Sequence, residues 1–110
     1  MSQVTTHVLD TALGVPAAGI RVLLERRDGD GWTEVGRGVT DADGRVAALC
    51  PDRVEDGVLR LTFATGEHLD AAGRPGYYPE VQVQFRVAGA DHHHVPLLLS
   101  PFGYSTYRGS

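Results

Sequence analysis

A chain of 110 residues, 42% hydrophobic and 22% charged, has the size and composition of one soluble globular domain with a single core. Its formal net charge of −4, with all ten basic residues arginine and no basic stripe, excludes a nucleic-acid footprint. No apolar run approaches the ~20 residues a membrane span needs, so neither nucleic acid nor membrane is expected as a partner.

The first residues, MSQVTTHVLD, have neither the basic start nor the apolar stretch of a secretory signal, and the last are not a peroxisomal address. A cytoplasmic protein is expected. Val4 to Asp10 reads as a strand, closed by the turn-rich ALGVPAAG. Ile20 to Arg26 alternates Ile20, Val22 and Leu24 against Arg21, Leu23 and Glu25, a period of two. Asp28-Gly29-Asp30-Gly31 predicts a hairpin, its two Asp-Gly pairs supplying positive φ, and Trp32 to Thr40 returns as the partner strand. Asp41 to Gly44 makes another turn before Arg45 to Leu49. Cys50 stands alone, so no intramolecular disulfide can form, and a small buried hydrophobe is its expected role.

Gly57 to Thr65 places Leu59, Leu61 and Phe63 on one face and Arg60 and Thr62 on the other. GEHLDAAG, residues 66–73, predicts the only helix, about two turns long, with Gly73 ending it in the left-handed conformation. Val81 to Val87 alternates Val81, Val83, Phe85 and Val87 inward against Gln82, Gln84 and Arg86. Asp91 to Leu99 and Phe102 to Arg108 complete seven or eight short strands. This spacing predicts an all-β fold, a sandwich of two antiparallel sheets with one short helix. Exposed sheet edges in so small a chain predict assembly.

The histidines carry the chemistry the composition allows. His68, in the helix, reads as structural. In His92-His93-His94, strand alternation puts His92 and His94 on one face and His93 on the other. A zinc site is one reading of that run, but adjacent strand residues cannot all converge on an ion, and no metal is expected. His7 shares its face with Thr5 and Leu9, which suits a histidine at the edge of the core. Arg45 opens a strand after a turn, where a solvated arginine is ordinary.

Separated motifs, in order, carry a resemblance that spans nearly the whole chain. THVLD followed by the Gly14–Ala17 turn resembles the opening of the transthyretin-like family. Tyr77-Tyr78-Pro79-Glu80-Val81 is similar to its aromatic-Pro-Glu-Val block. HVPLLLSPFGYSTYRGS resembles the carboxyl signature of its enzymatic branch, which hydrolyses 5-hydroxyisourate, and Tyr107-Arg108-Gly109-Ser110 is the tetrapeptide that separates that branch from the hormone carriers.

The resemblance implies a transthyretin-like sandwich of about eight strands, a single domain over residues 1–110. It implies a homotetramer with sites at the dimer–dimer interface and no cofactor. The activity it implies is hydrolysis of the N1–C6 acyl-nitrogen bond of 5-hydroxyisourate, giving 2-oxo-4-hydroxy-4-carboxy-5-ureidoimidazoline in urate degradation. Carried over by position, the catalytic residues are His7, Arg45 and His94, with Tyr107 and Ser110 facing substrate beside Arg45 and His7. The family commonly has His-Tyr-His where this chain has His92-His93-His94; by alternation the exchanged side chain at His93 points away from His94. Two other readings share the fold class. A carrier of a small aromatic ligand would lack the paired histidines, Arg45 and the final tetrapeptide. An immunoglobulin-like adhesion domain would call for a Cys…Trp…Cys pattern, whereas Trp32 has only Cys50.

Overall fold

Alternation decides which way each strand faces, and the computed structural model, which describes residues 2–110, resolves it into two layers. The elements are β1 (Val4–Asp10), β2 (Val15–Pro16), β3 (Arg21–Asp28), β4 (Gly31–Val39), β5 (Gly57–Phe63), α1 (Thr65–Ala71), β6 (Val81–Val87), β7 (His93–Ser100) and β8 (Gly103–Thr106). They form two four-stranded sheets ordered β2-β1-β7-β8 and β4-β3-β5-β6. Every pairing is antiparallel except that between the two central strands of the first sheet, β1 and β7.

The core is the set of inward positions of both sheets. Val4, Val8, Val95, Leu97 and Leu99 face Val22, Leu24, Leu59, Leu61, Phe63, Val81 and Val87. Each such side chain, taken out of water, contributes ~1.5–3 kcal/mol. Cys50 packs partly buried against this core with a free thiol. No helix among the described residues is long and apolar enough to cross a membrane.

Local signals set the connections. The β3–β4 hairpin turns on Gly29-Asp30, and of its two glycines only Gly29 has positive φ; Gly31 already belongs to β4. The helix ends as expected, with Gly73 at φ 67°. The amide of Gly73 donates to the carbonyl of Asp70 and that of Arg74 to Leu69, the paired bonds of a Schellman stop. The Arg74 guanidinium then reaches back 2.6 Å to the buried Asp10 carboxylate, fastening the helix exit to the end of β1.

Two segments differ from the alternation pattern. Val15–Pro16, inside the expected turn, pairs with Leu9 and Asp10. Arg45 to Leu49, expected as a strand, makes only a single bridge, Arg45 to His7. Beyond it Val46 packs over Gly38 and the Leu49 carbonyl over Gly36. The segment therefore leaves the first sheet to lie across β4, and one chain cannot pair with β1 while covering β4.

Candidate active site

The site is built on the outward face of the central parallel pair. In the β1–β7 register Thr5 stands beside His94 and His7 beside Pro96. The core-facing alternates are buried, while Thr5, His7 and His94 are half-buried on the outer face. One strand spacing across and two residues along separate His7 from His94, about 8 Å between Cα atoms.

Arg45 reaches this face through a tightly specified turn. The Asp41 carboxylate accepts hydrogen bonds from the amides of Asp43 (2.9 Å) and Arg45 (3.0 Å). The Gly44 carbonyl accepts from the Val8 amide at 2.8 Å, setting Arg45 opposite His7. Gly44 has φ 79°, and a Cβ there would lie 2.4 Å from the Val8 carbonyl oxygen and 3.2 Å from Cδ2 of His7. Only glycine permits both the backbone conformation and the approach.

The chain end arrives by a comparable device. β7 and β8 pair with Leu97 opposite Thr106 and Leu98 opposite Ser105, and Gly109 bridges His94 in the same register. Between them Tyr107 and Arg108 are unpaired. Antiparallel pairs exchange hydrogen bonds at every second position; the Gly109 amide donates to the His94 carbonyl at 2.7 Å, so the next exchanging position on β7 is Pro96. Proline has no N–H to give, and the Pro96 carbonyl accepts from the Thr106 hydroxyl instead, at 2.8 Å. The ladder opens there and closes on His94. A Cβ on Gly109 would sit 2.7 Å from Cδ2 of His94, so each site histidine has its Cδ2 edge against a glycine.

The electrostatics are one-sided. Burial, then the positive charge of Arg45, then His7 and His92, hold His94 below the ordinary imidazole pKa. His94 is therefore neutral at pH 7 and able to accept a proton. Its Nδ1 lies 2.8 Å from the Thr5 hydroxyl, which also lies 3.0 Å from Nε2 of His92. The His92 and His94 rings stack with centroids 6.5 Å apart. Among the described residues, neither the Arg45 guanidinium nor the His7 ring has a hydrogen-bond or ion-pair partner, and no three His, Cys, Asp or Glu side chains gather as metal ligands would. Free donors, a neutral imidazole and an open face suit capture of a polar, carbonyl-rich ring and activation of a water beside it.

His7, Arg45 and His94, spread over the sequence, are thus brought together within one chain. Ser110 follows Gly109 at His94 and is exposed. Tyr107 is 57% exposed and lines a groove with His93, Phe85 and Arg108 at the open edge between β6 and β8. His93 faces away from His94, as alternation requires, and is buried against Phe85. Burial first, then Arg108, keeps its pKa low. Sequence reasoning gave Thr5 no part in the site and weighed His92 only as a metal ligand. Their shared face with His7 and His94 was the available signal; the parallel register that joins them was not.

Residues 4–109 match the HIUase/Transthyretin family. The chain is 48% identical to a 5-hydroxyisourate hydrolase of Caulobacter vibrioides over 115 aligned positions and the whole of both chains. The solved 5-hydroxyisourate hydrolase of Klebsiella pneumoniae superposes with a TM-score of 0.87 at 38% identity, covering 97% of this chain and 98% of that one. Sea bream transthyretin in complex with thyroxine gives a TM-score of 0.92 at 31% identity, covering 97% and 94%. The sandwich is common to hydrolase and carrier; the side chains on its outer face must tell them apart.

Proposed function

Because the chain belongs to the HIUase/transthyretin family, we propose that it hydrolyses 5-hydroxyisourate at the face formed by His7, Arg45 and His94. The observation that carries this reading is the meeting of a neutral His94 with an unpaired Arg45 and an unpaired His7, beside the docked chain end. A hormone carrier has no need of a proton acceptor next to an unneutralised guanidinium.

In the mechanism, Arg45 offers a rigid fork of donors to the substrate's carbonyl oxygens. The same donors stabilise the charge that develops on the attacked oxygen. His94 takes a proton from water through its free Nε2 as the water adds to the cyclic acyl carbon. That proton is returned to the ring nitrogen as the acyl-nitrogen bond breaks. His7, one strand over, orients the water or shares the transfer. Ser110, next to the Gly109 that bridges His94, holds the ring, whereas Tyr107 lies in the groove on the His93 side of the same chain. A base placed in this way supplies ~10²–10⁴-fold.

The reading extends to a homotetramer with sites at the dimer–dimer interface. Leu13, Val15 and Phe102 are strongly exposed apolar side chains near the ends of the site-bearing sheet, and Tyr104 lies on its edge strand; burial against another copy would remove them from water. It extends also to the cytoplasm, which suits the free thiol of Cys50. The test is the ultraviolet absorbance of freshly generated 5-hydroxyisourate, followed with and without protein, alongside the mass by gel filtration. Accelerated decay that His94→Ala abolishes supports the proposal; decay at the uncatalysed rate with wild-type tetramer removes it.

A further inference from the structure

The Thr5 hydroxyl stands between two imidazoles, and a hydroxyl has a single proton to donate. If it donates to His94 Nδ1, it must accept from His92 Nε2–H, and His94 carries its own proton on Nε2. If it accepts from His94 Nδ1–H, it donates to His92 Nε2, and His94 Nε2 keeps a lone pair. The two tautomers are therefore coupled through one O–H bond. Only the second arrangement leaves His94 a base toward the site.

The surroundings select that arrangement. The charges that reach His94 come from Arg45, His7 and His92; Asp91 and Arg108 act instead on His93. Arg45 has donors only, so the free nitrogen of His94 is worth most as an acceptor. No carboxylate acts on the ring to hold its tautomer, which is the task of the buried aspartate in a serine hydrolase triad. His92 is exposed, so water can serve its Nδ1–H.

We infer that Thr5 and His92 are positioning residues for hydrolysis, forming a directed chain from His94 Nδ1–H to Thr5 Oγ1 and from Thr5 O–H to His92 Nε2. When His94 Nε2 takes the proton of water, the Nδ1–H bond to Thr5 strengthens, and no proton leaves the chain. The chain fixes the tautomer beforehand and supports the imidazolium that forms. This inference rests on His94 being the base.

The test combines kinetics with ¹⁵N NMR of the histidine rings at neutral pH. In wild-type protein His94 is expected as the Nδ1–H tautomer and His92 with an unprotonated Nε2. Thr5→Val should lower kcat by about ten- to a hundredfold, a part of what a general base supplies, with little change in KM. The same variant should shift His94 toward the Nε2–H form. It should also move the acid limb of kcat/KM to lower pH, since losing the acceptor for Nδ1–H disfavours the charged ring. Thr5→Ser should restore rate and tautomer, and His92→Phe, which keeps a stacked ring without the acceptor nitrogen, should give a smaller loss with mixed tautomers. A wild-type His94 already protonated on Nε2 overturns the inference, as does a Thr5→Val enzyme with unchanged kcat, pH profile and ring spectrum. Either result with His94→Ala still inactive leaves the hydrolytic reading standing; an active His94→Ala enzyme removes that reading itself.

Discussion

The two outer faces of the sandwich treat charge in opposite ways. On β4-β3-β5, arginines are matched to carboxylates: Arg21 to Glu67 at 2.5 Å, Arg60 to Glu25 at 2.8 Å, and Arg37 to Glu34. Arg60 also stacks 4.0 Å over the Trp32 ring. On β1-β7, Arg45 and three imidazoles share a surface, and the charges that reach His94 are all of one sign. A paired guanidinium has used its donors and contributes little, because exposed ion pairs are worth ~0–1 kcal/mol. An unpaired one beside a neutral imidazole keeps its donors for a ligand. Unspent hydrogen-bonding capacity, more than charge as such, sets the proposed working face apart from the opposite one.

The sharpest way to break this comparison is to disarm that face. His94→Ala should lower kcat by about 10²–10⁴-fold with the far-UV circular dichroism unchanged, since the side chain lies outside the core. Arg45→Met should lower kcat/KM about a hundredfold or more, the loss of ~3–4 kcal/mol of transition-state stabilisation typical of one removed donor. Either variant turning over within a few-fold of wild type would mean that the unpaired face is not the site.

A smaller change asks whether placement matters as well as chemistry. Gly109→Ala puts a methyl group where Cδ2 of His94 now lies 2.7 Å away, so either the ring or the chain end must move. About a tenfold fall in kcat is expected, since misplacement by an ångström can cost more than that. Thermal stability should stay close to wild type, and an unaffected rate would show that the chain end can dock elsewhere.

Charge pairs away from the site should act on stability alone. Arg60→Met, on the opposite face, should leave kcat untouched and cost about 1 kcal/mol through the lost Glu25 and Trp32 contacts, read by chemical denaturation. Asp10 adds a dependence on pH. Hydrogen bonding to Arg74, against the cost of burial, holds its carboxyl below the usual 3.8. Its stabilisation is complete above that value and is lost as pH falls through the lower folded value. Asp10→Asn should lower Tm at neutral pH and flatten the fall in stability below about pH 4; an unchanged acid transition would show that the Asp10–Arg74 pair does not contribute.

How much of this could be read in advance differs by region. β1 and β6 have the bounds alternation predicts, and the Gly73 stop was legible because each depends on near neighbours. Val15–Pro16 was hidden because a two-residue strand has no period to detect. Arg45–Leu49 has an alternating look but is claimed by β4. The Pro96 opening could not be recognised until β8 was in register, since the proline matters only for the bond it fails to make to Tyr107.

The sequence by itself determined which side of each strand is apolar, where the chain turns, and which residue types are available for chemistry, because those depend on spacings of two to four residues. Its motifs also carried the family likeness. The tertiary structure alone decided that β1 runs parallel to β7, so that Thr5 meets His94 and His92. It alone decided that a glycine at each histidine lets Arg45 and the chain end approach. Those contacts join residues some fifteen to ninety positions apart, and no local period encodes the register between segments that distant.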